Sequence, residues 1–138
     1  MKKVLFLCTG NSCRSIMAEA ALNHVGKDKF KAYSAGSRPT GEIHPTSLGT
    51  LERAGIDWSY LESKSLDEYE NDEFDIVVTV CDKAKGEICP AYLKDAQKLH
   101  WSVPDPSHFD GSRHMIDAEF KRVFDVLVKN IEGHFLAN

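Results

Sequence analysis

The chain has 138 residues, 42% of them hydrophobic, and 17 Lys and Arg against 21 Asp and Glu give it a net charge of −4. That length suits one domain, residues 1–138, with a single sizeable core, and the absence of any long basic window argues against a nucleic-acid partner. No apolar run approaches the roughly 20 residues of a membrane span, and Met1-Lys2-Lys3 leads straight into an apolar stretch without the small-residue cleavage site of a signal peptide, so a cytoplasmic protein is expected.

Taken in order, Val4 to Leu7 is an apolar run that ends abruptly at Cys8, and Thr9, Gly10, Asn11, Ser12, Cys13, Arg14 and Ser15 follow. The pattern reads as strand, anion-binding loop, helix. Five residues separate Cys8 from Arg14, room for a tight loop to curl its backbone N–H groups around one tetrahedral oxyanion, with the thiol beneath and the guanidinium across the rim. Gly10 is expected to relieve the curvature. Ser15 starts the helical pattern Ile16, Met17, Ala20, Ala21, His24, which aims a helix N-terminus at the same anion. The thiolate is the nucleophilic form, and these sources of positive potential are expected to lower Cys8 below the reference pKa of a free cysteine, about 8.5. A strand-end cysteine packed as a small hydrophobe is the bland alternative. The loop glycine, the arginine spacing and the following helix favour chemistry.

Lys31 to Ser34 alternates as a second short strand, and the turn-rich Ala35 to Gly41 is expected to flank the site. Pro45 suits a first helical position, with Leu48, Leu51 and Ala54 at helical spacing until Gly55 stops the element. Ser65 and Glu68 form a capping-box pattern before a short helix. Ile76 to Val80 reads as a strand buried on both faces, with Cys81 at its carboxyl end. Lys98 to Trp101 is a weaker fourth strand, and the two prolines of Val103 to Ser107 predict an extended loop. Ile116, Phe120, Val123, Phe124, Leu127, Ile131 and Phe135 mark a long amphipathic helix whose stripe covers the sheet. The alternation predicts an α/β fold: an open parallel four-stranded sheet flanked by helices, with the site beyond the strand carboxyl ends.

Cys8-Thr-Gly-Asn-Ser-Cys-Arg14-Ser15 with Met17-Ala18-Glu19 resembles the oxyanion loop of the low-molecular-weight protein tyrosine phosphatase family and its arsenate reductase branch. The resemblance extends through Tyr33 to Gly36, His44-Pro45, Ala54 to Asp57 and Asp105-Pro106. It implies that Asp105 is a general acid, where sequence alone leaves an Asx turn open. It also implies that Asn11 and Ser15 shape the loop and support the thiolate.

Phosphatase chemistry needs a nucleophile, an anion cradle, an acid and water, whereas reducing an oxyanion needs a further thiol to resolve the first adduct. Cys81 and Cys89, with seven residues between them in a polar segment, supply that thiol and a second relay. The resemblance agrees: Cys89-Pro90 and His100-Trp101 look like arsenate reductases, and Ser107 follows Asp105-Pro106 where the phosphatases usually carry an aromatic residue. The expectation is an arsenate reductase acting through Cys8, Arg14, Cys81, Cys89 and Asp105, with thioredoxin, or glutathione with glutaredoxin, as electron donor. A tyrosine phosphatase and a non-catalytic redox or oxyanion sensor are the rivals. No cofactor is expected. The spacing between Cys81 and Cys89 departs from that of common zinc ligands, which argues against zinc on Cys81, Cys89, His108 and His114. Some family members bind potassium through a carboxylate whose place Lys64 takes here, so no metal is expected. Cys13 reads as a small neighbour of Cys8 or as a partner in an adventitious disulfide.

Overall fold

The computed structural model describes residues 1–80 and 95–136. Strands β1 (Lys2–Cys8), β2 (Phe30–Gly36), β3 (Ile76–Thr79) and β4 (Gln97–His100) form a four-stranded sheet in the order β2-β1-β3-β4, and every pairing is parallel. Helices α1 (Arg14–Val25), α2 (Pro45–Arg53) and α3 (Arg113–Ile131) connect and cover it. This is the α/β architecture expected from the sequence.

The period-2 alternation of β1 explains the two-sided core. Val4, Phe6 and Cys8 pack with residues of α1 and α3, whereas Leu5 and Leu7 join Ala35, Val77, Leu66, Tyr69 and Phe74. A parallel sheet of this kind is apolar on both faces because both are covered.

Several elements differ in detail from expectation. Helix α1 begins at Arg14 rather than Ser15, and it has no polar face: Arg14 to Leu22 are all buried, because the helix is enclosed by the sheet, α2 and α3. His24, expected on its apolar stripe, is exposed. Strand β4 begins at Gln97, one residue before the expected start. Residues 106–108 are not extended: Pro106 opens a 3-10 turn, Pro106–His108, since a first helical position has no N–H to lose. Regular α3 ends at Ile131, and a wider π turn, Glu132–Leu136, carries Phe135 onto Trp101 and Phe30.

Other signals act as read. Pro45 opens α2, and Gly55, at φ 74°, follows its cap in the left-handed region that favours glycine. The Ser65 hydroxyl accepts the Asp67 N–H rather than that of Glu68, so the short helix forms as a 3-10 turn, Leu66–Tyr69, without the capping box. Among the described residues, no helix is long and apolar enough to cross a membrane. The end of β1 lies beside that of β3, where the Val80 N–H donates to the Leu7 carbonyl at 2.9 Å.

Candidate active site

The loop from Cys8 to Arg14 leaves the carboxyl end of β1 and enters α1. Its carbonyls are held from outside. Ser37 N–H donates to the Cys8 carbonyl, Arg38 to Thr9, Thr40 to Gly10 and His44 to Ser12, all between 2.9 and 3.2 Å. In a trans peptide the next residue's N–H points opposite to the carbonyl, so the N–H groups of Thr9, Gly10, Asn11 and Cys13 turn into the loop. Asn11 shows the result directly, its N–H donating to Cys8 Sγ at 3.1 Å. The cap position of α1, Cys13, makes no side-chain cap hydrogen bond, and the helix N-terminus faces the same space. A concave set of donors at a helix start is an anion cradle.

Two expectations about the loop need correcting. The residue that absorbs the curvature is Asn11, at φ 50°. Gly10 has ordinary room for a Cβ, 3.4 Å from Thr40 Cγ2. The glycine that the loop does require is Gly36 at the end of β2, where a Cβ would sit 2.5 Å from the Thr9 carbonyl oxygen. The second correction concerns Cys8. The thiol is buried, and burial pushes it up from its ordinary value by more than the Ser15 and Asn11 hydrogen bonds and Arg14 pull it down. Arg14 is engaged elsewhere: its Nη1 donates to the Val103 carbonyl at 2.9 Å and its Nη2 lies 3.4 Å from Asp105 Oδ2.

Asp105 uses its two oxygens differently. Oδ1 accepts the Ser107 N–H at 2.9 Å and the Ser107 hydroxyl at 2.7 Å, forming the Asx turn that opens the 3-10 segment. Oδ2 faces Arg14 and, at 3.5 Å, His108 Nε2. Half-burial raises the carboxyl, but the Ser107 bonds, Arg14 and His108 outweigh it and hold Asp105 below its ordinary value. It is a carboxylate in this arrangement.

Ser15 Oγ lies 2.8 Å from Cys8 Sγ and accepts from Asn11 Nδ2, also at 2.8 Å. The Asn11 carbonyl oxygen is taken by the Lys64 N–H, and the Ser34 hydroxyl is turned onto Glu19. The Lys64 ammonium already sets a positive charge against Glu19, so a metal ion between Asn11, Ser34 and Glu19 would meet a like charge. Cys13, also buried, lies with its sulfur 3.6 Å from Ser12 Oγ, and burial raises its thiol too.

The cavity over the loop has a volume of about 460 Å³ and brings Cys8 to Arg14 together with Asp105. Its outer wall is Arg38, Thr40, Ser107 and His108. Arg38 and Thr40 were not singled out in the sequence, although the turn-rich loop that carries them was expected to flank the site. Cys81 and Cys89 lie outside the described residues.

The sequence model of the family described as low molecular weight phosphotyrosine protein phosphatase matches residues 3–137. An arsenate reductase of Halalkalibacterium halodurans is 37% identical over 131 residues, which cover 95% of this chain and 93% of that one. A solved structure described as an arsenate reductase in reduced state superposes with a TM-score of 0.78 at 29% identity, covering 96% and 95% of the two chains. The thioredoxin-dependent arsenate reductase of Corynebacterium glutamicum does so at 0.67 and 31%, covering 96% of this chain and 62% of that one.

Proposed function

The chain belongs to the low molecular weight phosphotyrosine protein phosphatase family, and from that premise we propose that it is a single-domain cytoplasmic arsenate reductase serving arsenic detoxification. The observation that carries this reading is the wall of the site. Around an oxyanion cradle, the described lining includes Arg38, Thr40, Ser107 and His108 but no Phe, Tyr or Trp to form the slot that a phosphotyrosine ring would need. The curated relatives named arsenate reductase support the same choice.

The chemistry follows from the groups at hand. Cys8 attacks arsenic as the thiolate, stabilised by the Ser15 hydroxyl and the Asn11 N–H. The loop amides and Arg14 hold the oxyanion. When Arg14 turns from Asp105 to the substrate, Asp105 loses a charge that keeps it ionised, and it is the nearest acid to protonate the departing oxygen, which leaves as water. Cys81 then attacks the Cys8 sulfur. The sulfur–arsenic bond breaks with its electron pair on arsenic, arsenite leaves, and two thiols have become one disulfide. Attack by Cys89 on Cys81 frees Cys8, and thioredoxin, or glutathione with glutaredoxin, reduces the remaining disulfide. The likeness to the thioredoxin-dependent arsenate reductase of Corynebacterium glutamicum favours thioredoxin.

The test is arsenate-dependent NADPH consumption with each reducing system, beside hydrolysis of a phosphotyrosine peptide. Arsenate turnover with only weak hydrolysis is expected. Cys8→Ser should abolish both, whereas Cys81→Ser and Cys89→Ser should stop multiple turnover and spare the hydrolysis. Efficient hydrolysis without arsenate turnover would make the chain a phosphatase, and neither activity would leave an oxyanion or redox sensor.

A further inference from the structure

Glu19 is a carboxyl for which the chemistry above has no use. It lies on α1 one turn beyond Ser15 and is only 6% exposed. The Ser34 hydroxyl donates to its Oε1 at 2.5 Å. Asn11 Nδ2 donates to Ser34 Oγ at 3.0 Å and to Ser15 Oγ at 2.8 Å, and Ser15 Oγ lies 2.8 Å from Cys8 Sγ. The amide cannot flip, because its Oδ1 accepts the Lys64 N–H at 2.8 Å.

Each hydrogen is thereby assigned. The single Ser34 proton goes to Glu19, and both Asn11 amide protons are used. Ser15, accepting from Asn11, has its own proton to give to the sulfur when Cys8 is the thiolate. A buried carboxyl and the nucleophile thus occupy the two ends of one hydrogen-bonded chain. The groups that face Glu19 electrostatically are Lys64, which favours the carboxylate, and the phenols of Tyr60 and Tyr69. Burial nonetheless raises Glu19 to about 7, against the Ser34 bond and Lys64, so the group titrates in the neutral range.

We propose that Glu19 is a positioning residue whose protonation is coupled to the charge in the loop: when an oxyanion fills the cradle or Cys8 ionises, Glu19 takes up a proton. The proposal rests on reading the loop as an oxyanion cradle. Its physical basis is that two negative charges in one weakly solvated interior disfavour each other. By linkage, an anion that raises the proton affinity of Glu19 is itself bound more tightly when Glu19 is protonated.

Sulfate is the probe, because its own charge is constant across the neutral range. Calorimetry near pH 7 in buffers of different ionisation enthalpy counts the protons taken up on binding. The expected result is about 0.3 to 0.5 proton per sulfate, falling to near zero in Glu19→Gln, with a flatter dependence of sulfate affinity on pH in the variant. His44, His108 and Asp105, which Arg14 faces at 3.4 Å, also lie near the loop and remain in that variant, so uptake that survives there overturns the proposal. Sulfate binding by the unaltered protein without proton uptake overturns it as well. Failure of sulfate to bind at all would remove the cradle and this proposal with it. The infrared difference spectrum of the unaltered protein on adding sulfate needs no variant to fold: a protonated-carboxyl band must rise, and its absence refutes the coupling.

Discussion

At the scale of single residues, the nucleophile is governed by a contest between desolvation and hydrogen bonding. Cys8 is buried beneath its own loop, and that burial outweighs the Ser15 and Asn11 bonds. Those two bonds are therefore what keeps the thiolate within reach. A hydrogen bond to a charged group contributes about 1.5–3 kcal/mol, and about 1.4 kcal/mol is one pKa unit. Ser15→Ala should thus raise the thiol by about one to two units, read from the pH dependence of alkylation of Cys8 by iodoacetamide. An unchanged alkylation profile would mean that Ser15 does not donate to the sulfur. Asp105 is balanced in the same way, with one oxygen fixed in the Asx turn and the other left for Arg14 and His108.

At the scale of elements, the loop is a passenger on β2 and α2 as much as a product of its own residues. The segment after β2 supplies the N–H groups that hold the Cys8, Thr9 and Gly10 carbonyls, and the start of α2 holds Ser12 through the His44 N–H and the Ser47 hydroxyl. His44 is fixed in turn: its Nδ1 accepts the Thr46 N–H and its ring packs 4.8 Å from that of Phe120 on α3. The close approach of β2 to the loop leaves no room at Gly36, where a Cβ would meet the Thr9 carbonyl oxygen at 2.5 Å and Asn11 Cβ at 3.0 Å. Backbone cannot step aside as a flexible side chain can. Gly36→Ala should therefore cost about 1–3 kcal/mol in urea unfolding and weaken phosphate binding, whereas Gly10→Ala, which meets only the side-chain tips of Thr40 and Ser12, should do neither to a comparable extent. Equal effects in the two variants would place the steric constraint elsewhere.

At the scale of the whole molecule, the titrations of buried Glu19 and half-buried His44 act on stability in opposite directions. Glu19 rises from 4.5 to about 7 on folding. Its contribution is fully present below about 4.5 and is lost as the pH climbs towards 7, a loss of about 3 kcal/mol. His44 is lowered by burial and by Arg113, with Asp105 opposing. Its contribution is present above about 6.5 and is lost as the pH falls through its folded value. The slopes oppose each other in mild acid and flatten the profile. Glu19→Gln keeps an acceptor for Ser34 without the charge, so its stability relative to the unaltered protein should grow from near zero at about pH 4.5 to about 3 kcal/mol at about pH 8. Urea unfolding across that range measures it, and a constant difference would show that Glu19 does not titrate on folding.

What the sequence by itself determined lies in contiguous residues. The strand, loop and helix around Cys8 to Arg14, the start of α2 at Pro45 and its stop at Gly55, and the buried β3 each follow from local dihedral preferences or from a hydrophobic period. Only the tertiary structure decided the rest. Arg14 reaches Val103 across 89 positions, and Asn11 reaches Lys64 across 53. The demand on Gly36, the exclusion of water from Cys8 and the chain from Cys8 to Glu19 likewise arise where separate segments meet. Desolvation and hydrogen-bond direction depend on what packs around a group in three dimensions, and a residue's neighbours in sequence are only a few of those.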